Sequence, residues 1–309
     1  MFSSPCLCPS PANSAGDGRN FRKTYMEKRT LQNDFLTLEY FTQSLRITGL
    51  TPKGKPNLFA DLSAEPPIST PHGDFHFRGG HRLWHAPEAM PRTYAPDTGD
   101  LKITDKSNGV ILETNTEPGT GIRKRIEIQL APDTPSVTLT HTLINDGMWT
   151  VELAPWAITQ FRLGGVAILP LPVGNVDAAG LLPNRQLSFW SYTRLADPRL
   201  SLRDDFILFH ADALPSFKMG YFNPHGWLAY YVDGVLFKKT FGAQTNALYP
   251  DNNSNAELYC DHRFVELESL SPLVKLEPGA ETHHHETWDV LEGSASLPEN
   301  IQNAILSSL

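Results

Sequence analysis

From about Asp34 onward, apolar and polar side chains alternate along this chain in short runs separated by turn residues. A period of two places successive side chains on opposite faces of a strand. The pattern therefore predicts β-strands at residues 35–41, 43–49, 101–105, 110–115, 122–131, 136–145 and 151–161. Further runs predict strands at 206–210, 217–222, 227–232, 235–241, 257–270 and 282–291. Explicit turn chemistry joins several of them: Ser107-Asn108-Gly109, Asp146-Gly147, and Asp233-Gly234 between two alternating segments. No helical periodicity long enough for a βαβ crossover intervenes, so the connections are antiparallel. Only 297–309 reads as a short helix. With no internal repeat and no linker between Asp34 and Gly293, the expected fold class is all-β: one large antiparallel β-supersandwich over 28–295, with a short C-terminal helix or tail over 296–309.

Composition narrows the function classes. The chain has 309 residues, 40% of them hydrophobic, enough to bury a sizeable core. Its net charge of -8 reflects 34 acidic against 26 basic residues, and no Lys/Arg block could neutralise a run of phosphates, so nucleic acid is not an expected partner. Apolar runs such as 166–171 fall far short of the ~20 residues that span a bilayer, so no membrane is expected. Cys6, Cys8 and Cys260 cannot form a disulfide framework, which suits a reducing, cytoplasmic location. Residues 1–20 mix Ser, Pro, Gly and Cys with no apolar core of signal-peptide length. Residues 1–27 read as a disordered tail, which a translation start at Met26 would remove.

Two proline-rich stretches, 64–71 and 86–96, bracket a segment that no simple strand rule explains. It runs His72-Gly73-Asp74-Phe75-His76-Phe77-Arg78-Gly79-Gly80-His81-Arg82-Leu83-Trp84-His85-Ala86-Pro87-Glu88. Imidazole and guanidinium groups suit sugar hydroxyls, an indole suits the apolar face of a pyranose, and paired glycines allow close backbone approach. Residues 263–272 place Glu266 and Glu268 in alternation with Val265 and Leu267, so both carboxylates project from one face. Beside each other and partly buried, one would be raised toward the range of a general base; on an open surface both are ordinary solvated acids. By the same alternation His141 shares a face with Val137, Leu139 and Leu143, where a core histidine is the alternative to a catalytic acid. His283-His284-His285 could present at most two imidazoles on one face, and no matching ligand spacing accompanies them, so no metal is expected. No phosphate loop, nucleophile elbow or dinucleotide fingerprint is present, and no cofactor is expected.

These segments resemble the galactose mutarotase-like superfamily. Arg78-Gly79-Gly80 followed by Pro87 is similar to the Arg-Gly-Gly segment of its hexose-phosphate epimerases. His141-Thr142-Leu143-Ile144-Asn145 resembles the Asn-His-Thr-Tyr-Phe-Asn stretch of its sugar mutarotases, with Leu and Ile replacing the aromatic pair. The order Arg263 to Pro272, then Leu276-Glu277-Pro278-Gly279, then His285-Glu286-Thr287-Trp288 resembles the strand, Pro-Gly turn and returning strand that carry the superfamily's essential Glu. Segments around Asn184-Arg185, Trp190-Ser191-Tyr192, Lys218-Met219-Gly220, Trp227 and Tyr249-Pro250-Asp251 are similar to an uncharacterised subgroup.

The resemblance implies a small-molecule carbohydrate ligand and aldose 1-epimerase chemistry, in which one group takes the anomeric proton and another protonates the ring oxygen. It implies Glu268 as base with Glu266 in reserve, and His141 as acid with His81 or His85 in reserve. Arg78 and Arg82 would orient hydroxyls or a phosphate, Trp84 would stack, and Lys218 and Asp251 would join the substrate site. Two alternatives stand beside this: a non-catalytic carbohydrate-binding domain, and a sugar-phosphate epimerase whose arginines converge with Lys218 or Lys239 on an anion.

Overall fold

The computed structural model describes residues 26–307; the expected N-terminal tail lies almost wholly outside them. Two antiparallel sheets face each other. The 11-stranded sheet runs in the order Lys28–Gln32, Leu36–Phe41, Arg46–Pro52, Arg78–Ala86, Val151–Phe161, Val265–Leu270, Ala256–Cys260, Phe217–Tyr221, Ser188–Phe189. Two short strands, Asp61–Leu62 and Val274–Leu276, attach to its side. The 10-stranded sheet runs Leu200–Leu202, Phe206–His210, Val166–Pro170, Trp227–Val232, Val235–Phe241, Glu281–Glu292, Ser136–Asn145, Ile122–Leu130, Gly109–Glu113, Lys102–Lys106. The chain is an all-β sandwich with every paired strand antiparallel.

Alternation reads directly into burial where one face meets the other sheet. In Ile122–Leu130, Ile122, Ile126, Ile128 and Leu130 are buried while Arg123, Arg125, Glu127 and Gln129 point outward. The main core lies between the sheets and joins Leu83, Phe161, Leu267 and Met219 of one to Val137, Leu139, Phe237 and Trp288 of the other.

Strands buried on both faces escaped the alternation rule. Val166–Pro170 is one, because the helix Glu299–Leu306 lays Ile301 and Ile305 over Val166, Ile168, Phe206 and Leu208. Arg78–Ala86 is the other: eight of its nine residues are buried. Its inner face joins the main core, while its outer face packs Trp84 and Ala86 against Trp156, Ile158, Phe75 and Leu270. The segment that sequence rules left unassigned is thus a central strand.

Two expectations need correction. Residues 257–270 form two strands, Ala256–Cys260 and Val265–Leu270, reversed by a turn in which Asp261 Oδ1 accepts from the Arg263 backbone. The glycine pair lets backbone approach backbone, since a Cβ on Gly79 would lie 1.9 Å from Ala60 O and one on Gly80 2.0 Å from Ile47 O. Arg78, Gly79 and Gly80 all have positive φ, so the chain twists over the first three residues of the strand.

Gly80→Ala should therefore cost about 3 kcal/mol or more, from left-handed strain together with the clash. Gly54→Ala has a similar φ of +75° but open space around it, and should cost only about 1 kcal/mol. Thermal melting of both variants checks this: equal losses would mean that close approach at Gly80 is unimportant.

Candidate functional site

Five strands of the 11-stranded sheet project polar and aromatic side chains from its outer face. Arg82 and Trp84 come from Arg78–Ala86, Trp156 and Gln160 from Val151–Phe161, and Glu266 and Glu268 from Val265–Leu270. Glu257 and Tyr259 come from Ala256–Cys260, and Lys218 from Phe217–Tyr221. Register makes them neighbours: Trp84 lies opposite Trp156, Gln160 opposite Glu266, Glu266 opposite Tyr259, and Glu268 opposite Glu257.

The side chains bond accordingly. Arg82 Nη2 and Gln160 Nε2 each donate to Glu266 Oε1 at 2.9 Å. Trp156 Nε1 donates to Glu268 Oε2 at 2.8 Å. Lys218 Nζ lies 3.2 Å from Glu268 Oε2 and 2.9 Å from Glu257 Oε2. The Arg82 guanidinium sits 4.2 Å from the Trp84 ring centre, and the Lys218 ammonium 4.6 and 4.7 Å from those of Trp156 and Trp190.

This group is incomplete in itself. Arg82 Nε and Nη1, Gln160 Oε1 and Glu268 Oε1 are buried without a hydrogen-bond partner in the protein, while Glu257 meets only Lys218 and the neighbouring Asp251 carboxyl. Each such atom costs roughly 1–3 kcal/mol in a finished core.

Charge is crowded as well. Burial, then Glu268 and Asp251, push the Glu257 carboxyl well above the usual carboxylate range against the pull of Lys218. Burial, with Glu268, raises Glu266 to about 7 although Arg82 and Lys218 oppose it. Burial likewise raises Asp251, which reaches the group from the turn Pro250–Asn253. Burial disfavours the Lys218 ammonium, but Glu257, Glu268 and Glu88 outweigh it and hold its pKa well above the ordinary value. Glu257 cannot be both a full counter-ion and neutral. Three carboxyl groups share one ammonium, and burial with two acidic neighbours favours the neutral form of Glu257.

The candidate histidines lie on the other side of the sheet. His81 Nε2 is 2.7 Å from His141 Nε2, between the sheets and against Trp288. The hydrogen-bond directions there follow by elimination. The His284 carbonyl can only accept, so His141 Nδ1 donates to it, His141 Nε2 accepts from His81 Nε2, and His81 Nδ1 accepts from Thr159 Oγ1. Lys239 Nζ completes the chain at Thr159 Oγ1 and ion-pairs with Glu286 Oε1 at 2.7 Å. Burial pulls Lys239 below its ordinary value, yet Glu286, Thr159 and the Leu267 carbonyl give its ammonium protons three acceptors.

Burial pushes His81 well below its ordinary value and His141 down to about 4, so both are neutral. Burial alone would raise Glu286, but Lys239, with the nearby histidines, holds it well below the carboxylate range. His81, His141 and Glu286 offer ligand atoms within 4.8 Å of one another, a spacing a metal could use. The Lys239 ammonium already supplies the positive charge there.

Of the remaining candidates, Arg78 Nη2 donates to Thr98 Oγ1, away from the carboxylates. His85 approaches Glu117 at 3.5 Å, beside the buried Lys124–Glu117 pair. A cavity of about 200 Å³ lined by Arg82, Trp84, Asp97, Thr98, Glu117 and Lys124 lies beside the site and does not reach Glu266, Glu268 or Lys218. The structure thus gathers Arg82, Trp84, Lys218, Asp251, Glu266 and Glu268, and adds Trp156, Gln160, Glu257 and Trp190, which sequence reasoning did not single out.

No protein-family model matches the chain, and no curated protein matches it. Solved structures do. A galactose mutarotase-like protein from Lactobacillus casei superposes with a TM-score of 0.60 at 12% identity, over 86% of this chain and 100% of that one. Slr1438 from Synechocystis gives 0.56 at 12%, over 86% and 96%. A galactose mutarotase related enzyme from Lactobacillus acidophilus gives 0.53 at 8%, over 88% and 100%. The fold is galactose mutarotase-like. At these identities the likeness carries the architecture and leaves activity to the residues.

The neutral histidines and the depressed Glu286 both make the fold acid-sensitive. Below the ordinary histidine value of about 6.5 the unfolded chain binds protons that folded His81 and His141 refuse, so stability falls as pH drops toward 4. Glu286 adds a contribution present above the unfolded carboxylate value, about 4.3, and lost as pH falls through its depressed one. Glu266 and Glu257, raised by burial, act in the opposite sense over the same range, so the histidine contribution is read as a difference: the melting temperature of wild type minus that of His141→Gln, measured from pH 8 to 3, should decline as pH falls below about 6.5. A pH-independent difference between the two proteins would contradict the buried network.

Proposed function

We propose that this protein binds a neutral carbohydrate over Trp84 and Trp156 and interconverts its anomers. The observation that supports this reading is the mixture of unpaired donors on Arg82 with unpaired acceptors on Gln160 and Glu268. A sugar hydroxyl both donates and accepts, so a polyhydroxylated ligand can satisfy the whole set. An anion could not. Arg82 is committed to Glu266, Lys218 to Glu268 and Glu257, and Lys239 to Glu286 on the inner side, which disfavours the sugar-phosphate alternative.

Glu268 is the base in this reading because Oε1 is free while Oε2 is held by Trp156 and Lys218. Glu266 suits the role less well, since its Oε1 already accepts from Arg82 and Gln160. Glu268 and Glu257 have no solvent exposure, so sugar entry requires side chains at the rim to swing aside. Trp190 lies against Lys218, and Tyr94, bonded to Glu88, lies against Trp84.

Glu268→Gln keeps shape and removes the base, so polarimetry of freshly dissolved glucose and galactose should show mutarotation about 10²-fold slower or worse, with Glu266→Gln doing much less. Trp84→Ala should weaken calorimetric sugar affinity by roughly 3- to 10-fold, the range for loss of one stacking face. Wild-type catalysis untouched by either glutamine variant refutes the assigned base. Binding without catalysis favours the non-catalytic binding domain.

A further inference from the structure

Anomer exchange needs a proton donor for the ring oxygen, and the outer face presents no imidazole to Glu268 among the described residues. We propose that Glu257 is that donor, acting across the strand pair from Glu268. This rests on the mutarotase reading and extends it to the second catalytic group.

The geometry carries the assignment. Ala256–Cys260 and Val265–Leu270 pair antiparallel with Glu257 directly opposite Glu268, so both carboxyl groups leave the same face side by side. Lys218 Nζ bridges them at 2.9 and 3.2 Å. Glu257 is fully buried between the Lys218 ammonium and the Asp251 carboxyl. Asp251, Glu268 and Lys218 are the charged groups close about it, and burial with two acidic neighbours favours its neutral form. In the free protein Asp251 takes the hydrogen bond of a protonated Glu257, and a ring oxygen would replace it in the complex. His141, by contrast, spends its donor on the His284 carbonyl beyond the sheet.

The step balances. Glu268 removes the proton of the anomeric hydroxyl, the C1–O5 bond breaks as the C1 carbonyl forms, and the electron pair on the ring oxygen takes the Glu257 proton. After rotation about C1–C2, the Glu257 carboxylate recovers the O5 proton, O5 attacks C1, and Glu268 returns its proton to the carbonyl oxygen. Both groups regain their starting forms without oxidant or cofactor.

The test compares wild type, Glu257→Gln and Glu257→Asp by polarimetry with glucose and galactose, alongside melting and calorimetric binding. Glu257→Gln should lose about 10²-fold or more in mutarotation with sugar binding still detectable by calorimetry, and Glu257→Asp should retain part of the rate. The wild-type rate should also fall as pH rises through the elevated Glu257 value, an alkaline limb that the residual rate of Glu257→Gln lacks. A wild-type rate in Glu257→Gln, or a persisting alkaline limb, overturns this assignment alone. Should Glu257→Gln fail to fold, the Asp variant decides: its alkaline limb must shift from that of wild type, and an unmoved limb overturns the proposal. Absence of both binding and mutarotation in folded wild type overturns the functional reading and this one together.

Discussion

A strand buried on both faces leaves its polar side chains no water, so each must find a partner in the protein or a ligand. Arg78–Ala86 and its neighbours in the 11-stranded sheet are under that constraint, and the two faces meet it differently. On the inner face His81, Thr159 and Lys239 form a hydrogen-bond chain that accounts for both nitrogens of each histidine and three donors of the lysine. On the outer face Arg82, Gln160 and Glu268 retain unpaired atoms within a few residues of the same strands. The sheet separates a closed polar core from an open chemical set.

That separation assigns the histidines a structural part. Lys239 and Glu286 sit on adjacent strands of the second sheet, while Thr159 and the Leu267 carbonyl belong to the first, so the ammonium ties the two layers together. Losing one partner of such a pair typically costs about 3–5 kcal/mol, because the other charge is left buried and alone. His81 and His141 extend the tie along the seam, where a charged imidazole would confront Lys239. Their burial and their neutral form have one cause.

Much of the fold was legible because half-buried strands announce themselves by alternation, as Ile122–Leu130 does. Val166–Pro170 and Arg78–Ala86 did not, since burial on both faces replaces alternation with an apolar run in one case and a polar-aromatic mixture in the other. The shared face of Glu266 and Glu268 was readable within one strand. Glu257 was not. Reading 257–270 as a single strand gives it the opposite parity to 266 and 268, and so the opposite face. The turn at Asp261 reverses the chain and restores Glu257 to theirs. An Asp two residues before Arg263 was the signal, a side chain able to close that turn on the following backbone. The placement of His141 depended on which sheet its strand joins, a long-range pairing that no local pattern encodes.

In the proposed reading, the proton count on the outer face is why a neutral ligand suits it. Arg82 balances Glu266 and Lys218 balances one further carboxylate, leaving Glu257 and Asp251 to be neutral or to repel. A second cation would have settled both, but the nearby lysine of the right length, Lys239, faces the other way. An added anion would meet uncompensated acid, whereas hydroxyl groups take the Arg82 donors and give to the free carboxyl oxygens without changing net charge. In the proposed reading, the surplus of acid over base that disfavours a phosphate ligand also favours the neutral form of Glu257. A carboxyl that holds its proton in this way is what the proposed reaction needs on the side of the ring oxygen.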